Sequence, residues 1–255
     1  MLTSSSGVKS LDNIVAILDC FTFEKPEWSL AEISRHLGVP KPSVHRYLVA
    51  MEHFGMLHRV NDGAWRLGHR LFVWGQTVTH ISNLRDIARP HMRSLVEATH
   101  ETALLTIYDN QQIICIDKIE SERPVRMNAL VGSCHPIHAG ASSKILTASL
   151  PAQEIDALIR YQGLPQLSTN TITDEASLLQ ELQAIRSQGY AISHEETDQE
   201  AWGVAVPVRD RSGVVIAGIG IAGPVSRYSR ELEEEYIALC LHASRMISAA
   251  LNGSG

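Results

Sequence analysis

Hydrophobic residues recur every three or four positions in three short segments near the start of the chain, which predicts three amphipathic helices. Ser29 precedes the second segment and Glu32 follows three residues later, the pattern of a capping box. Gly38 then ends this helix, and Pro42 stands at the predicted first position of the third, where a missing N–H costs nothing. Two short helices joined by a tight turn predict a helix-turn-helix. The apolar positions of the first and third helices are Leu11, Ile14, Val15, Leu18, Phe21, Val44, Tyr47, Leu48 and Met51.

The side of the third helix that lies opposite its apolar positions carries polar and basic residues. In a helix-turn-helix, the N-terminal part of the second helix contacts base edges in the major groove. We therefore interpret this side as a DNA-reading face; the alternative is an ordinary solvated surface. The candidate DNA-binding residues of this helix are Lys41, Pro42, Ser43, His45, Arg46 and Val49.

A β-hairpin is predicted directly after these helices. Alternating residues lead to Val60, a turn follows at Asn61, Asp62 and Gly63, and a second strand covers 64–67. Asp-Gly between two alternating runs is a strong hairpin signal. A hairpin after a helix-turn-helix makes a winged helix, and it adds Arg59 and Arg66 to the candidate DNA contacts.

The charge of one segment, but not of the whole chain, favours a polyanionic partner. The formal net charge of the 255 residues is −6, so no overall basic excess indicates nucleic acid. Between Arg35 and Arg70, however, six Lys and Arg residues stand against two acidic residues, and local balance steers a charged partner. The four cysteines show no C-x-x-C spacing, and the N-terminal residues lack the apolar segment of a signal peptide. Because no apolar run reaches the ~20 residues of a membrane span, we expect a cytoplasmic protein without membrane partners.

The next segment is predicted to be a connecting helix. Leu71, Trp74, Val78 and Ile81 alternate at spacings of three and four, which is the seam of a pair of helices. The seam covers less than two heptads, so packing of this helix against its own domain remains the alternative. A second helical segment follows and is expected to bend or restart at Pro90.

The rest of the chain alternates between strand and helix patterns. Strands first, then helices and then strands again predict an α+β domain with an antiparallel sheet. A long closing helix is predicted to be capped by Ser229. The predicted strands are 102–109, 112–120, 125–132, 190–196, 202–210 and 213–223, and the predicted helices before the last one are 142–150, 152–162 and 174–188.

Several segments resemble the IclR-type transcriptional regulators. "LAEISRHLGVPKPSVHRYLVAMEHFGML" and "WRLG" are similar to their N-terminal domain, although Pro42 replaces the usual serine of Pro-Lys-Ser-Thr-Val-His-Arg. "PIHAGASSKIL", "GYAISHEE" and "VAVPVRDRSGVVIAGIGIAGP" resemble their effector-binding domain, which is related to GAF domains. The resemblance implies a winged helix over 1–68, a linker helix over 69–83 and an effector-binding domain over 84–252. It also implies a ligand-responsive regulator that binds double-stranded operator DNA and forms a homodimer or a tetramer. We expect this regulator to repress transcription.

The same resemblance indicates where a small organic acid would bind. Family members that bind glyoxylate or pyruvate hold the ligand carboxylate at the positions of Ala141 and Ser142, a predicted helix start with unpaired N–H groups. Their inward Asp, Cys and two Ser correspond here to Ser193, Gly203, Gly220 and Ala222, so polar groups are lost and volume is gained. We therefore expect an aromatic or other bulky carboxylate; the alternatives are an ordinary helix start and a Trp202 that lies at a rim or an interface. The candidate effector-binding residues are Met127, Ala129, Ala141, Ser142, Ser193, Trp202, Gly203, Gly220 and Ala222.

Other chemistry has weak support. Cys134, His135 and His138 could suggest zinc, but a structural site needs four ligands and no second cluster is evident. No nucleophile–base pair with supporting residues can be read from the sequence. We therefore predict no catalytic residue, metal or cofactor. The competing hypothesis is a metabolic enzyme, a hydrolase using Cys134 and His135, that carries a regulatory DNA-binding domain.

Overall fold

The computed structural model describes residues 7–60, 63–81, 84–127 and 129–253. The chain divides into two compact units, Met1–Ser82 and Asn83–Gly255. The predicted linker helix therefore belongs to the first unit, and the division into three parts stays a proposal. The elements of the first unit are α1 (Lys9–Leu18), α2 (Leu30–Leu37), α3 (Lys41–His53), β1 (Leu57–Arg59), β2 (Trp65–Leu67) and α4 (His69–Ile81).

The predicted capping box is present at the start of α2. The Ser29 hydroxyl accepts the Glu32 N–H, and the Glu32 carboxylate accepts the Ser29 N–H at 2.8 Å. Hydrogen bonds from Lys25 and Ser29 lower the pKa of Glu32 to about 2. Gly38 ends α2 with a left-handed φ of 66°, which favours glycine. Pro42 is the second residue of α3 rather than the first, because Lys41 already has helical geometry and Pro40 is the N-cap.

The core of the first unit forms from the apolar sides of the three helices and the hairpin. Val44, Leu48 and Met51 are buried as predicted, while Tyr47 is half-buried. On α1 the buried position is Ile17, which was not among the predicted apolar positions, and Leu11 is exposed. Contacts with α2 and the hairpin, rather than the period alone, decide which side of α1 is covered.

The predicted wing is a two-stranded antiparallel hairpin. Leu57 pairs with Leu67, and Arg59 pairs with Trp65. Trp65 is buried and its backbone also bonds to Trp28, which ties the wing to the segment before α2. Of the predicted turn, Gly63 has a left-handed φ of 76°, while residues 61 and 62 lie outside the described residues.

Helix α4 presents large apolar side chains to solvent. Phe72 is 64% exposed and Trp74 is 46% exposed, whereas Leu71 is half-buried. The side chains of Val78 and Ile81, the other two seam positions, lie outside the described ones. Both seam residues whose side chains the structure describes, Leu71 and Trp74, are only partly covered by their own unit, so the pairing hypothesis stays a prediction.

The second unit is an α+β domain built on an antiparallel sheet of six strands, as predicted. The strand order is β5-β4-β3-β8-β7-β6, and every pairing is antiparallel. Helix α5 continues through Pro90, so a restart at this residue is wrong, while a bend there stays a prediction. The elements are α5 (Leu84–Thr99), β3 (Thr102–Asp109), β4 (Gln112–Ile119), β5 (Cys134–His135), α6 (Ala141–Thr147), α7 (Ala152–Gln162), α8 (Glu175–Gln188), β6 (Ala191–His194), β7 (Ala201–Arg209), β8 (Val215–Pro224) and α9 (Arg230–Gly253).

Each face of the sheet has its own hydrophobic core. One face packs on α5 and α9, and the other packs on α6, α7 and α8. Because successive strand residues point to opposite faces, Leu105 and Ile219 belong to the first core, while Ala205 belongs to the second. The cavity described below opens on the α6 side.

The predicted strand over 125–132 is wrong. The described residues of this segment form no strand, and the short β5 pairs with β4 instead. Its backbone bonds elsewhere: Arg227 donates to the Val125 carbonyl at 2.9 Å, and Lys118 donates to the Ala129 carbonyl at 2.6 Å. Gly132 takes a left-handed φ of 88° in a turn before β5. These side-chain donors compete with the strand-to-strand hydrogen bonds that the alternating residues of 125–132 suggested.

Candidate nucleic-acid interface and ligand cavity

The outward side of α3 is exposed and carries mostly polar and basic residues. The helix buries Val44, Leu48 and Met51 on one side, so the opposite side is solvent-exposed. Five of the six predicted residues on α3 are exposed, and Ser43 is half-buried. The exposed ones are Lys41, Pro42, His45, Arg46 and Val49.

Arg46 lies beside an aromatic ring that helps to orient it. Its guanidinium carbon is 5.7 Å from the centre of the Tyr47 ring. The Tyr47 hydroxyl in turn accepts a hydrogen bond from the Asn13 side chain at 3.2 Å, which ties α3 to α1. The exposed Arg46 therefore keeps its guanidinium near an aromatic ring that is itself bonded to α1.

The two wing arginines point to different faces of the hairpin. Cross-strand partners share a face, so Arg59 lies on the side of Trp65, with its guanidinium 5.0 Å from the indole centre. Arg66 lies on the other side, opposite His58. The sequence analysis treated the two arginines alike, but only strand pairing shows that they differ.

Two histidines near Arg66 were missed by the sequence analysis. His69 Nδ1 is 3.3 Å from His58 Nε2, which joins the wing to the start of α4. His58 pairs directly with Arg66. Alternation along β1 could have placed His58 on the Arg66 face, whereas nothing local connects His69 to it.

The second unit contains a cavity of about 250 Å³ next to the start of α6. Its wall combines strands β3, β5, β6, β7 and β8, the segments before β5 and β7, and the residues on either side of the start of α6. The lining residues are Leu104, Thr106, Met127, Ala129, His135, Ala139, Gly140, Ala141, Ser142, Ser143, Ser193, Thr197, Asp198, Ala201, Trp202, Gly203, Ile221 and Ala222.

Eight of the nine predicted effector residues line this cavity; Gly220 does not. Ser193, Gly203 and Ala222 form one patch of wall: a Cβ at Gly203 would lie 3.5 Å from Ser193 Oγ and 3.7 Å from Ala222 Cβ. These three positions come from three neighbouring strands, which explains why they are far apart in sequence. The patch has small side chains and a single hydroxyl.

Gly220 serves the sheet rather than the cavity. A Cβ at this position would lie 2.1 Å from the Val204 carbonyl oxygen and 2.9 Å from Ala205 Cα. Backbone atoms of β7 cannot move aside as a flexible side chain can. The prediction that Gly220 is a ligand wall is therefore wrong on this geometry, since glycine is needed for the close approach of β7 and β8.

Trp202 borders the cavity, but its ring lies on the other face of the sheet. The indole stacks on Tyr236 of α9 with ring centres 5.3 Å apart and an interplanar angle of 6°. It belongs to the core cluster between the sheet and α5 and α9. The expectation that the indole forms an apolar wall for the ligand is therefore wrong, because the next residue, Gly203, is the one that faces the cavity.

The start of α6 presents N–H groups to the cavity, and one of them is bonded within the protein. Gly140 donates its N–H to Glu196 Oε2 at 2.9 Å. Among the described residues, the N–H groups of Ala141 and Ser142 have no acceptor, as expected for the first turn of a helix. Both residues line the cavity.

A buried lysine holds this part of the wall together. Lys144 is 1% exposed, and its ammonium group bonds to Glu196 at 2.6 Å, to Glu181 at 2.8 Å and to the Ile192 carbonyl at 2.9 Å. These bonds connect α6 with α8, with β6 and with the segment that enters the cavity at Thr197 and Asp198. The sequence analysis missed this network, since its partners are up to 52 residues apart.

The arrangement of Cys134 and His135 does not favour a hydrolase. They are consecutive strand residues, so their side chains point to opposite faces. His135 lines the cavity, and burial lowers its pKa. Cys134 is exposed and donates to the Gln112 side chain at 3.0 Å. In the described part of the chain, no group of three His, Cys, Asp or Glu residues could hold a metal ion.

Other cavity residues were not predicted. Leu104 and Thr106 of β3 face the cavity, and Ala139 and Ser143 flank the start of α6. Alternation along β3 would have placed Leu104 and Thr106 on the same face of the sheet, but it could not have shown that this face lines the cavity. Only the pairing of β3 with β8, which sets Leu104 opposite Gly220 and Thr106 opposite Gly218, places them in the cavity wall.

Comparison with known proteins assigns the class of regulator. Residues 10–61 match the family described as the IclR helix-turn-helix domain, and residues 76–249 match the bacterial transcriptional regulator IclR C-terminal family. The regulator KipR of Bacillus subtilis is 33% identical over 94% of this chain and 97% of its own length. The transcriptional repressor IclR of Escherichia coli is 27% identical over 98% of this chain and 92% of its own.

A solved structure of an IclR homologue from Microbacterium hydrocarbonoxydans, complexed with 4-hydroxybenzoate, is also similar. It is 26% identical, covers 95% of this chain and 98% of its own, and superposes with a TM-score of 0.80. This chain belongs to the IclR family of transcriptional regulators. It is a DNA-binding transcriptional regulator with an effector-binding domain, in a family that is not one of enzymes. Within the described residues, every helix is too short or too polar to cross a membrane.

Proposed function

We propose that this protein is a repressor whose affinity for double-stranded operator DNA changes when a small carboxylic acid binds in the cavity of the second unit. It acts as a homodimer or a tetramer, and α3 and the wing make the DNA contacts. Repression is supported by the Escherichia coli relative, which is a repressor by name. A ligand can shift operator affinity only by as much as its own affinity differs between the two states of the protein.

The observation that carries this proposal is the wall of the cavity. Two N–H groups without a partner, on Ala141 and Ser142, adjoin a wall of small residues that includes Gly203 and Ala222. The carboxylate of Glu196 beside them is paired with Lys144, so its charge is compensated. A ligand carboxylate would accept the two N–H groups, and a flat body would lie on the small-residue wall.

The favoured ligand class is an aromatic monocarboxylate. The cavity of about 250 Å³ suits a small molecule. The side chains of the small-residue patch at Ser193, Gly203 and Ala222 supply one hydroxyl, which fits a ring better than a polar short-chain acid. The homologue complexed with 4-hydroxybenzoate supports this class.

The test is operator binding with matched ligands. An operator is first selected from random DNA with the purified protein, and its affinity is then measured with 4-hydroxybenzoate, 4-hydroxybenzamide or pyruvate. The acid should bind about tenfold to a hundredfold more tightly than the amide, because a charge-assisted hydrogen bond contributes roughly 1.5–3 kcal/mol. Equal affinity of the acid and the amide would contradict the carboxylate site, and tight pyruvate binding alone would contradict the aromatic class.

Two variants separate the two halves of the site. Ala222→Leu should fill the ligand space and abolish the response to 4-hydroxybenzoate while operator binding remains. Ser142→Pro should remove one N–H and weaken the acid more than the amide; α3 already carries a proline at the same helical position. Circular dichroism must first show that both variants are folded.

A further inference from the structure

The end of the DNA-reading helix is bonded directly to the start of α4. Three successive carbonyl oxygens follow α3, and each accepts a hydrogen bond from the beginning of α4. Gly68 N–H donates to Met56 at 2.7 Å, Arg70 N–H donates to Gly55 at 3.4 Å, and the Arg70 guanidinium donates to Phe54 at 2.9 Å. We call this junction, residues 54–56 with 68–70, the α3–α4 joint.

Packing in the joint leaves almost no room for movement. A Cβ at Gly68 would lie 2.2 Å from the Gly55 carbonyl oxygen and 2.9 Å from the Met56 carbonyl carbon. Only a residue without a side chain allows this approach of two backbone segments. Gly55 itself has a left-handed φ of 70°, which turns the chain sharply at the end of α3.

The Arg70 side chain spans the joint from α4 to the end of α3. Its guanidinium bonds to the Phe54 carbonyl and also lies 5.0 Å from the centre of the Trp74 ring, one helical turn further along α4. A helix ends in carbonyl groups without internal partners, and a cation is favourable there. Arg70 thus satisfies the end of α3 while its other side is covered by Trp74.

We propose that the joint makes α3 and α4 one rigid body, and that Arg70 is the positioning residue through which a reorientation of α4 reaches the DNA-reading face. Arg70 itself need not touch DNA. This inference rests on the proposed function in one respect only, namely that ligand binding is what reorients α4. The connecting helix would then set the angle of α3, rather than act as a flexible tether.

The first experiment needs no ligand. Amide hydrogen exchange on the full chain should show the Gly68 N–H protected to within about tenfold of the Leu48 N–H in the middle of α3, since one cooperative unit opens together. Arg70→Met, which keeps the stem and removes the donors, should speed exchange at Gly68 at least about tenfold and leave Leu48 unchanged. Arg70→Lys, which keeps a charge and one donor, should restore part of the protection.

The second experiment measures coupling, which a merely structural contact would not change. Operator affinity is compared with and without saturating 4-hydroxybenzoate. A coupling of about 5- to 150-fold in the unmodified protein should fall to about twofold in Arg70→Met. Calorimetric affinity for the acid in the absence of DNA should be unchanged, and Arg211→Met serves as a control for the loss of an exposed arginine.

The outcomes separate this inference from the proposed function. Fast exchange at Gly68 in the unmodified protein, or undiminished coupling in Arg70→Met, would overturn the rigid joint. A loss of operator affinity of more than about tenfold without ligand would make Arg70 a DNA contact instead. If the unmodified protein binds operator but responds to none of the acids, the ligand proposal fails, whereas the exchange comparison still decides whether the joint is rigid.

Discussion

The DNA-reading surface and the ligand cavity are built in opposite ways. The α3 part of the proposed surface comes from one short stretch, 41–49, because a helix that buries one side exposes the other. The cavity combines residues between Leu104 and Ala222, drawn from five strands and the start of α6. A continuous helical face tolerates side-chain changes, whereas a wall shared by several strands and a helix start does not.

This difference predicts where substitutions act. Changes on α3 should alter DNA affinity without altering stability, because the side chains there are exposed. Changes around the cavity should alter stability as well, because its polar groups are bonded to the core. The following predictions test this contrast, in order of decreasing expected effect.

Lys144→Met should destabilise the second unit by about 3–5 kcal/mol, because it leaves the buried carboxylate of Glu196 without its cation. Urea unfolding followed by circular dichroism measures the change. The matched control is Lys25→Met, which removes a lysine from an exposed pair with Glu32 at 2.8 Å and should barely shift the midpoint. Equal effects of the two variants would contradict the contrast between the units.

Trp74→Glu should weaken self-association through α4 by about thirtyfold or more, as expected when a large aromatic side chain at the centre of an interface becomes a charge. Sedimentation measures the dissociation constant. Phe72→Glu is the control, since Phe72 is more exposed but lies off the predicted seam. If the Phe72 variant dissociates as strongly, the seam of Leu71 and Trp74 is not the pairing surface.

Arg46→Ala should reduce affinity for the selected operator by about 1–3 kcal/mol and flatten the discrimination between bases at one position. Arg66→Ala should instead weaken binding to all DNA sequences alike. It should also lower the slope of log affinity against log salt concentration by about one, as loss of a phosphate contact does. Filter binding at several salt concentrations separates the two. Unfolding midpoints should match the unmodified protein for both; a large shift would show that the surface is not independent of the core.

Ser29→Ala should cost about 1 kcal/mol, since it removes the N-cap of α2. Ser29→Thr keeps the hydroxyl and is the control. The pKa of Glu32 in the folded protein, about 2, lies below the unfolded value of about 4.3. Its contribution is therefore complete above the unfolded pKa and is lost as pH falls toward the folded one. The Ser29→Ala variant should lose less stability over this interval, which acid titration of unfolding can measure.

Short-range sequence patterns predicted the helices and hairpin of the first unit and most strands of the second. The capping box, the turn at Gly38 and the buried side of α3 follow from short-range rules, because a helix repeats its faces every 3.6 residues. Strand order in the sheet was not predicted, but five of the six predicted strands are present. Eight of the nine effector residues line the cavity; those positions came from resemblance to a family rather than from spacing.

Tertiary structure alone decided the remaining features. The described residues of 125–132 form no strand, and carbonyls of this segment accept bonds from Arg227 and Lys118 of other elements. Gly220 is needed by the approach of two strands, and the Trp202 ring faces α9. Likewise, Lys144 finds its carboxylates, and Arg70 finds the end of α3, only in the folded chain. Each of these depends on atoms distant in sequence that meet at bonding distance, and no period of hydrophobic residues encodes such a meeting.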